Sequence, residues 1–384
     1  MLRLGAGFSA LTLLAACDTS NFNFGSIGDT GQRPSGKGPV YGNGKVRVAL
    51  LLPLSGDAAL ANVGISMANA AQLAMDYVAA NPKIGDNITL AVKDTGASTQ
   101  GATQQAQAAV GEGAALILGP LKAEQVQAAG AVAKGAGIPL IGFSNNAAVA
   151  SPGVYLLNVL PETEVHRSLT YASEHGHRAV AGVFPASPFG QVQQAAFQRA
   201  VADLRLSNQG TSTFSSDRDA AGVVARLAPQ LSSGQIDTLF LPDRASAPAF
   251  AGALQQAGIK PGKVLVVGSA DWDGDPTILA TPYLTGAVYP AVDDTGYRAL
   301  QGDYAARFGG NPHPLATIAY TATILANASA LANARYSAGV LTLPGGFNGR
   351  DGVFRFLPDG RSQYALIMKQ VQAGGAVRAD GPKL

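Results

Sequence analysis

Three short segments carry polar side chains where a ligand could be gripped: Ser55-Gly56, Leu121-Lys122 and Ser144-Asn145-Asn146. They follow the apolar runs 46–52, 116–118 and 140–141, each read as a buried strand. Open α/β sheets bind ligands at the carboxyl ends of their strands. Hydroxyl, carboxamide and ammonium groups there, with helix N-terminal N–H groups, suit an anion or a polar small molecule. The same residue types also make ordinary helix caps, so both readings stay open. Asp243-Arg244, after the run 237–241, either reaches the same cleft or pairs on the surface. Asp271-Trp272-Asp273-Gly274-Asp275 places three carboxylates and the only tryptophan in one loop. Trp272 either stacks on a ligand or packs inward. The loop lacks calcium-loop spacing, with Pro282 where a bidentate glutamate is needed, so no metal is expected. Glu174-His175-Gly176-His177 has no further ligand set and reads as a solvated turn. Around Ser144, Asn146 replaces the closing glycine of a nucleophile elbow. Neither a Walker loop nor a G-x-G-x-x-G opening a helix occurs. The expectation is a binding protein rather than an enzyme, without a cofactor.

The elements that must position these groups alternate along the chain. Val46–Leu52 is a near-continuous apolar run, as in a strand buried on both faces of a parallel sheet. A helix follows, with Val63, Met67, Ala70, Ala71, Ala74, Tyr77 and Val78 at helical spacing, ending at Asn81-Pro82. Strand Ile88–Asp94, helix Thr99–Glu112, strand Leu116–Leu118, helix Lys122–Lys134 and strand Leu140–Ile141 come next, and Val154–Asn158 is a fifth strand. The rhythm restarts with helix Glu164–His175 and strand Ala179–Phe184. Helix Pro188–Arg205 carries proline in its first turn. Strands at 211–214, 237–241, 264–268 and 286–289 alternate with helices Ala220–Ser232 and Ala247–Ala257. Helices Gly296–Phe308 and Leu315–Ala334 come next. The end differs: Gly352–Phe356 and Tyr364–Val371 flank Leu357-Pro358-Asp359-Gly360, a turn signal. Two βα series imply an α/β protein with two doubly wound, Rossmann-like lobes.

A chain of 384 residues makes two domains the default. Net charge is +2 with no basic run, which disfavours a nucleic-acid surface. The N-terminus reads as a targeting segment: a basic start, the apolar run Leu4–Leu14, then Leu14-Ala15-Ala16-Cys17. That run is too short to span a bilayer. The tetrapeptide resembles a bacterial lipobox, which makes 1–16 a signal peptide and Cys17 the lipidated residue. Cys17 is the only cysteine, so no disulfide can form. Asp18 resembles an inner-membrane retention signal; which membrane is reached stays open. Residues 17–45 are glycine-rich without apolar periodicity and read as a flexible tether.

The segments V-A-L-L-L-P-L-S-G (48–56), A-A-L-I-L-G-P-L (114–121), G-I-P-L-I-G-F-S-N-N (137–146), S-P-G-V-Y-L-L (151–157) and G-V-F-R-F-L-P-D-G (352–360) stand in order. Together they resemble the type I periplasmic binding proteins of the leucine/isoleucine/valine-binding group. Within it the chain is most similar to the lipoprotein branch known as penicillin-binding protein activators. The resemblance implies two lobes joined by three crossovers, lobe one at 46–160 plus 290–355 and lobe two at 161–289 plus 356–384. It implies a ligand in the cleft, and with the strand-end positions above the candidate ligand-binding residues are Ser55, Leu121, Lys122, Ser144, Asn145, Asn146, Phe189, Asp243, Asp271 and Trp272. Phe189 stands where an aromatic caps the cleft, and Asp271 near the acidic position that holds an amino acid's ammonium group. Leu121-Lys122-Ala123-Glu124 replaces the hydroxyl-rich loop of amino-acid binders. The implied function is a lipid-anchored periplasmic regulator of peptidoglycan synthesis, binding a small or peptidoglycan-derived ligand and acting on a penicillin-binding protein. The alternative is the amino-acid receptor of an ABC permease.

Overall fold

The computed structural model describes residues 38–384. The expected signal peptide, Cys17 and most of the expected tether lie outside the described residues. Lobe one is built on a six-stranded sheet. Its strands are β1 (Val40–Tyr41), β2 (Val46–Leu52), β3 (Ile88–Asp94), β4 (Leu116–Leu118), β5 (Leu140–Gly142) and β6 (Val154–Leu156). Their spatial order is β1-β3-β2-β4-β5-β6. All pairings are parallel except β1 on β3. Leu50, Leu51 and Leu52 are fully buried, as expected of a central strand covered on both faces. Each such side chain stabilises the fold by about 1.5–3 kcal/mol.

Helices α1 (Ala58–Ala80), α2 (Thr99–Gly111) and α3 (Ala123–Gly135) connect these strands. The Asp57 carboxylate accepts the Leu60 N–H at 2.8 Å and starts α1. Ser98 Oγ accepts the Gly101 N–H at 3.0 Å and starts α2. Such caps satisfy otherwise orphaned donors.

β1 lies within the expected tether. Gly44 N–H donates to the Ile88 carbonyl at 3.1 Å, and Thr89 Oγ1 to the Gly44 carbonyl at 2.8 Å. The folded body therefore begins before residue 46. A two-residue edge strand needs a partner on one side only, and its glycine-rich flanks hide it from pattern reading.

Lobe two opens with α4 (Pro161–Glu174). It continues through β7 (Ala179–Pro185), α5 (Pro188–Asp203), β8 (Ser207–Phe214), α6 (Ala220–Ser233), β9 (Thr238–Phe240), α7 (Ala247–Gln256), β10 (Leu265–Val267), the short α8 (Pro276–Ala280) and β11 (Val288–Ala291). The chain then returns to lobe one through α9 (Thr295–Phe308), α10 (Ala316–Asn327) and α11 (Ser329–Asn333). A long helix over 315–334 is instead broken at Ala328, whose backbone is extended. α1 packs on both α9 and α10, and Asn87 is tied to Asn327 by hydrogen bonds of 2.9 and 2.8 Å.

A three-stranded antiparallel sheet follows, β12 (Phe347–Gly349), β13 (Gly352–Phe356) and β14 (Ser362–Tyr364). Phe354, Phe356 and Tyr364 sit in the lobe-one core. Strands β15 (Leu366–Gln372) and β16 (Gly375–Lys383) then extend the second sheet, ordered β16-β15-β11-β10-β9-β7-β8. By sheet membership the crossings fall at 157–160, 292–294 and 365, the last two later than the boundaries at 290 and 356 read from the resemblance. β11 stays in lobe two because it pairs with β15. The hairpin at 352–364 stays in lobe one because its aromatics are buried there.

Candidate functional site

Both sheets have the same internal order. In lobe one β3 lies on one side of β2 and β4 on the other; in lobe two β8 and β9 flank β7 the same way. Each sheet therefore has a switch point, between β2 and β4 and between β7 and β9, where open α/β folds take ligands. The crossings bring the two carboxyl edges together. β6 ends at Leu156 and α4 starts at Pro161. A helix that precedes a parallel strand starts at the carboxyl edge, and four extended residues span at most about 14 Å.

On the lobe-one edge, the Asp94 carboxylate accepts the N–H groups of Leu54 at 2.9 Å and Gly96 at 2.8 Å. This fixes the turn that presents Ser55, which is exposed. The loop after β4 presses against β2. Gly119 has φ +81°, and a Cβ there would lie 2.1 Å from the Leu51 carbonyl oxygen. Leu121 packs against the lobe core. Lys122 begins α3 without a side-chain cap and lies 3.9 Å from Glu124. After β5, Ser144 is buried and its Oγ accepts the Asn146 N–H at 3.1 Å. Asn146 in turn caps a short helical turn through Ala148 N–H at 3.0 Å. Ser144 and Asn146 thus hold the loop, and the Asn145 side chain is exposed.

On the lobe-two edge, Ser187 caps α5 through the Gly190 N–H at 3.2 Å. Phe189 in that first turn is a large apolar side chain left 37% exposed. Asp243 accepts the Ser246 N–H at 3.0 Å and serves its own turn. Asp271 lies 3.6 Å from Arg244 Nε, while Arg244 Nη1 reaches Asp275 at 3.9 Å. Burial pushes the Asp271 carboxyl up, and the Arg244 charge and backbone N–H oppose that shift.

Trp272 is a correction. Its side chain has no exposure, belongs to the lobe-two core and lies against Tyr289 at 6.4 Å. It cannot stack on a ligand: the apolar ring gains more by burial beneath the loop than by facing water. The other loop carboxylates are also engaged. Asp273 pairs with Lys369 at 2.8 Å, and Asp275 caps α8. The histidine pair serves local structure. His175 stacks on Tyr171 at 3.9 Å, and His177 Nδ1 contacts the Asp237 carbonyl at 3.2 Å. Among the described residues no group of acidic, histidine or cysteine side chains is arranged to hold a metal.

One residue went unread. Glu164, in the first turn of α4, accepts the Ala270 N–H and a hydrogen bond from the Gln193 side chain. It is part-buried beside Asp271 and Glu162. Burial pushes its carboxyl up to about 7, the charges of Asp271 and Glu162 add to this, and the two hydrogen bonds oppose it. An acid in a helix first turn is expected from the helix dipole alone, which masked it. Its place directly after a lobe crossing was the available signal. A carboxyl raised in the fold contributes stability fully present below its ordinary value of 4.5, lost as pH rises through about 7. Glu164→Gln should therefore melt higher than the wild type at pH 8 and close to it at pH 4, read by thermal unfolding at both pH values.

The model of the family described as periplasmic binding proteins matches residues 45–355. The chain belongs to that family. No relative is found among curated proteins. Among solved structures, this periplasmic binding protein is similar to a protein assigned as a branched-chain amino acid ABC transporter from Rhodospirillum rubrum. The TM-score is 0.73 at 21% identity, covering 87% of this chain and 99% of that one. It is also similar to the C-domain of LpoA from Haemophilus influenzae, a regulator of PBP1A, with TM-score 0.66 at 17% identity over 87% and 99% of the two chains. A leucine-binding protein from Thermotoga maritima follows at TM-score 0.55 and 16% identity, over 88% and 99%. These likenesses share the two-lobed fold. Among the described residues no helix is long and apolar enough to cross a membrane.

Proposed function

We propose that this periplasmic binding protein is a non-enzymatic, lipid-anchored regulator of the cell envelope, tethered through Cys17, that acts on a peptidoglycan synthase. The supporting observation is the state of Asp271. A receptor for a free amino acid needs an unpaired carboxylate for the ammonium group and free hydroxyls for the carboxylate. Here the Arg244 guanidinium already faces Asp271, and the buried Ser144 hydroxyl holds its own loop. In this reading Ser55, Lys122, Asn145 and Phe189, at the carboxyl edges of the two sheets, would contact a larger polar ligand such as a peptidoglycan fragment. Contacts to both lobes would favour the closed state, whose outer surface a penicillin-binding protein would read.

A second reading, a solute receptor for an ABC permease, draws support from the Glu164–Gln193–Ala270 cluster, a carboxyl in the first turn of α4 directly after the first lobe crossing. Thermal-shift titration of residues 18–384 separates the two. Muropeptides should raise the melting temperature and branched-chain amino acids should not; a clear shift with leucine at low concentration sinks the regulator reading. Co-purification from envelope extracts should recover a penicillin-binding protein rather than permease subunits.

A further inference from the structure

Arg350-Asp351 is the two-residue turn of the β12–β13 hairpin, since Gly349 pairs with Gly352. This hairpin touches two of the three crossings between the lobes. Gly296, two residues beyond the crossing at 292–294, lies so close that a Cβ there would run into the Arg350 carbonyl. Ala365, at the third crossing, donates its N–H to the Val353 carbonyl at 2.8 Å. Helix α10 holds the turn itself. Thr321 Oγ1 accepts the Arg350 N–H at 2.9 Å, and the Arg350 guanidinium lies over the Tyr320 ring at 4.4 Å.

The third tie to α10 is Asp351. Its Oδ2 lies 2.9 Å from Thr317 Oγ1, and the same hydroxyl lies 2.8 Å from the Pro314 carbonyl oxygen. Thr317 is buried. A hydroxyl has one hydrogen to give, so with Asp351 ionised only one of these oxygens can receive it. With Asp351 neutral, its O–H donates to Thr317 Oγ1, and Oγ1 donates to Pro314. Both contacts are then satisfied. The surroundings offer little to a negative charge. Arg350 is spent on Tyr320. His313, beside Pro314, accepts the Leu315 N–H through Nδ1, and burial pushes its imidazole down. Tyr364 on β14 is pushed up by burial and then by the Asp351 charge. Near Gly296 stand further acids, Asp293 facing Arg378 and Asp294 facing Arg298. Burial pushes the Asp351 carboxyl up to about 6, and the Thr317 hydrogen bond opposes it.

We propose that Asp351 is a proton-operated latch on the hinge between the lobes. Neutral, it ties the turn to α10 through Thr317 and so steadies the two crossings that rest on the hairpin. Ionised, it leaves one contact of the Thr317 hydroxyl unpaired, the turn loosens from α10, and the lobes settle at a different separation. Acidity then biases the lobe arrangement whatever ligand the cleft takes.

Spin labels on exposed helix positions of the two lobes test this, at Gln107→Cys in α2 and Ala225→Cys in α6 of a Cys17→Ser chain. Electron–electron resonance then reads the distance between them, without added ligand, from pH 4.5 to pH 7.5. The distance distribution should shift, with a midpoint about pH 6. Asp351→Asn, whose amide donates to Thr317 as the neutral acid does, should keep the low-pH distribution throughout. Should that variant not fold, Thr317→Val, of similar shape but without the hydroxyl, should likewise abolish the shift. Glu164→Gln, which removes the other raised carboxyl, should leave the shift in place. A distribution that does not change with pH, a shift that persists in the Asp351 or Thr317 variant, as titration of His313 would give, or its loss in Glu164→Gln would each overturn the proposal.

Discussion

Arg167→Ala should destabilise the protein by about 3 kcal/mol, because it removes a buried charge and leaves its partners behind. The guanidinium joins α4 to the Leu366 carbonyl in β15 and to Asp380 and Gly381 in β16. Asp380 keeps Lys383 at 2.8 Å, which holds the loss below the upper range for a severed buried pair. Denaturant titration should show a lower midpoint, with Arg167→Lys falling between the two. The same contacts set an acid limit. Lys383 first, then Arg167, hold the Asp380 carboxyl down to about 2 from its ordinary 3.8. A depressed carboxyl contributes stability above its ordinary value that is lost as pH falls toward its folded value. The difference between wild type and Arg167→Ala should therefore narrow between pH 4 and pH 2.

Gly119→Ala should cost a similar amount, about 3 kcal/mol, from two additive sources. The residue sits at φ +81°, where a side chain is strained, and its Cβ would lie 2.1 Å from the Leu51 carbonyl oxygen. The neighbour is the backbone of the central strand, which cannot turn aside as a flexible side chain would. Relief would come by moving the loop that carries Leu121 and Lys122, so weaker binding at the cleft should accompany the loss of stability. Gly135→Ala is the control. It ends α3 with nothing within 4 Å of the added Cβ, and should be neutral or slightly stabilising. Urea midpoints of the two variants check the pair.

The strands of the parallel sheets were legible because burial on both faces leaves an unbroken apolar run. Val46–Leu52 and Ile88–Asp94 were read at their observed limits. Strands lacking that signature were missed. β16, Gly-Ala-Val-Arg-Ala-Asp-Gly-Pro-Lys, is an exposed edge strand held by backbone pairing with β15, and nothing in its composition distinguishes it from a tail. The candidate site was legible by position and less so by orientation. Ser55, Lys122 and Asn145 lie in loops that follow strands, and Phe189 in the first turn of α5, as their positions in the sequence indicated. Periodicity says nothing of whether a loop side chain turns outward, so Trp272 could be read either as a ligand contact or as a packed aromatic, and it lies in the core. Glu164 was hidden for the opposite reason, since its helix position explained it before its neighbours were known.

The interleaving of the lobes has a consequence for how the molecule comes into being. Lobe one is not a continuous stretch. Its α1 is covered by helices from residues 295–327, and bonds such as Asn87 to Asn327 close a loop of 240 residues. Lobe two likewise waits for β15 and β16 at the end of the chain. Neither core can be completed before β15 and β16 have been made, so both lobes must remain open until those strands are present. Contacts of such long sequence separation also slow folding. A chain built this way stays threadable for longer than one whose domains close in turn.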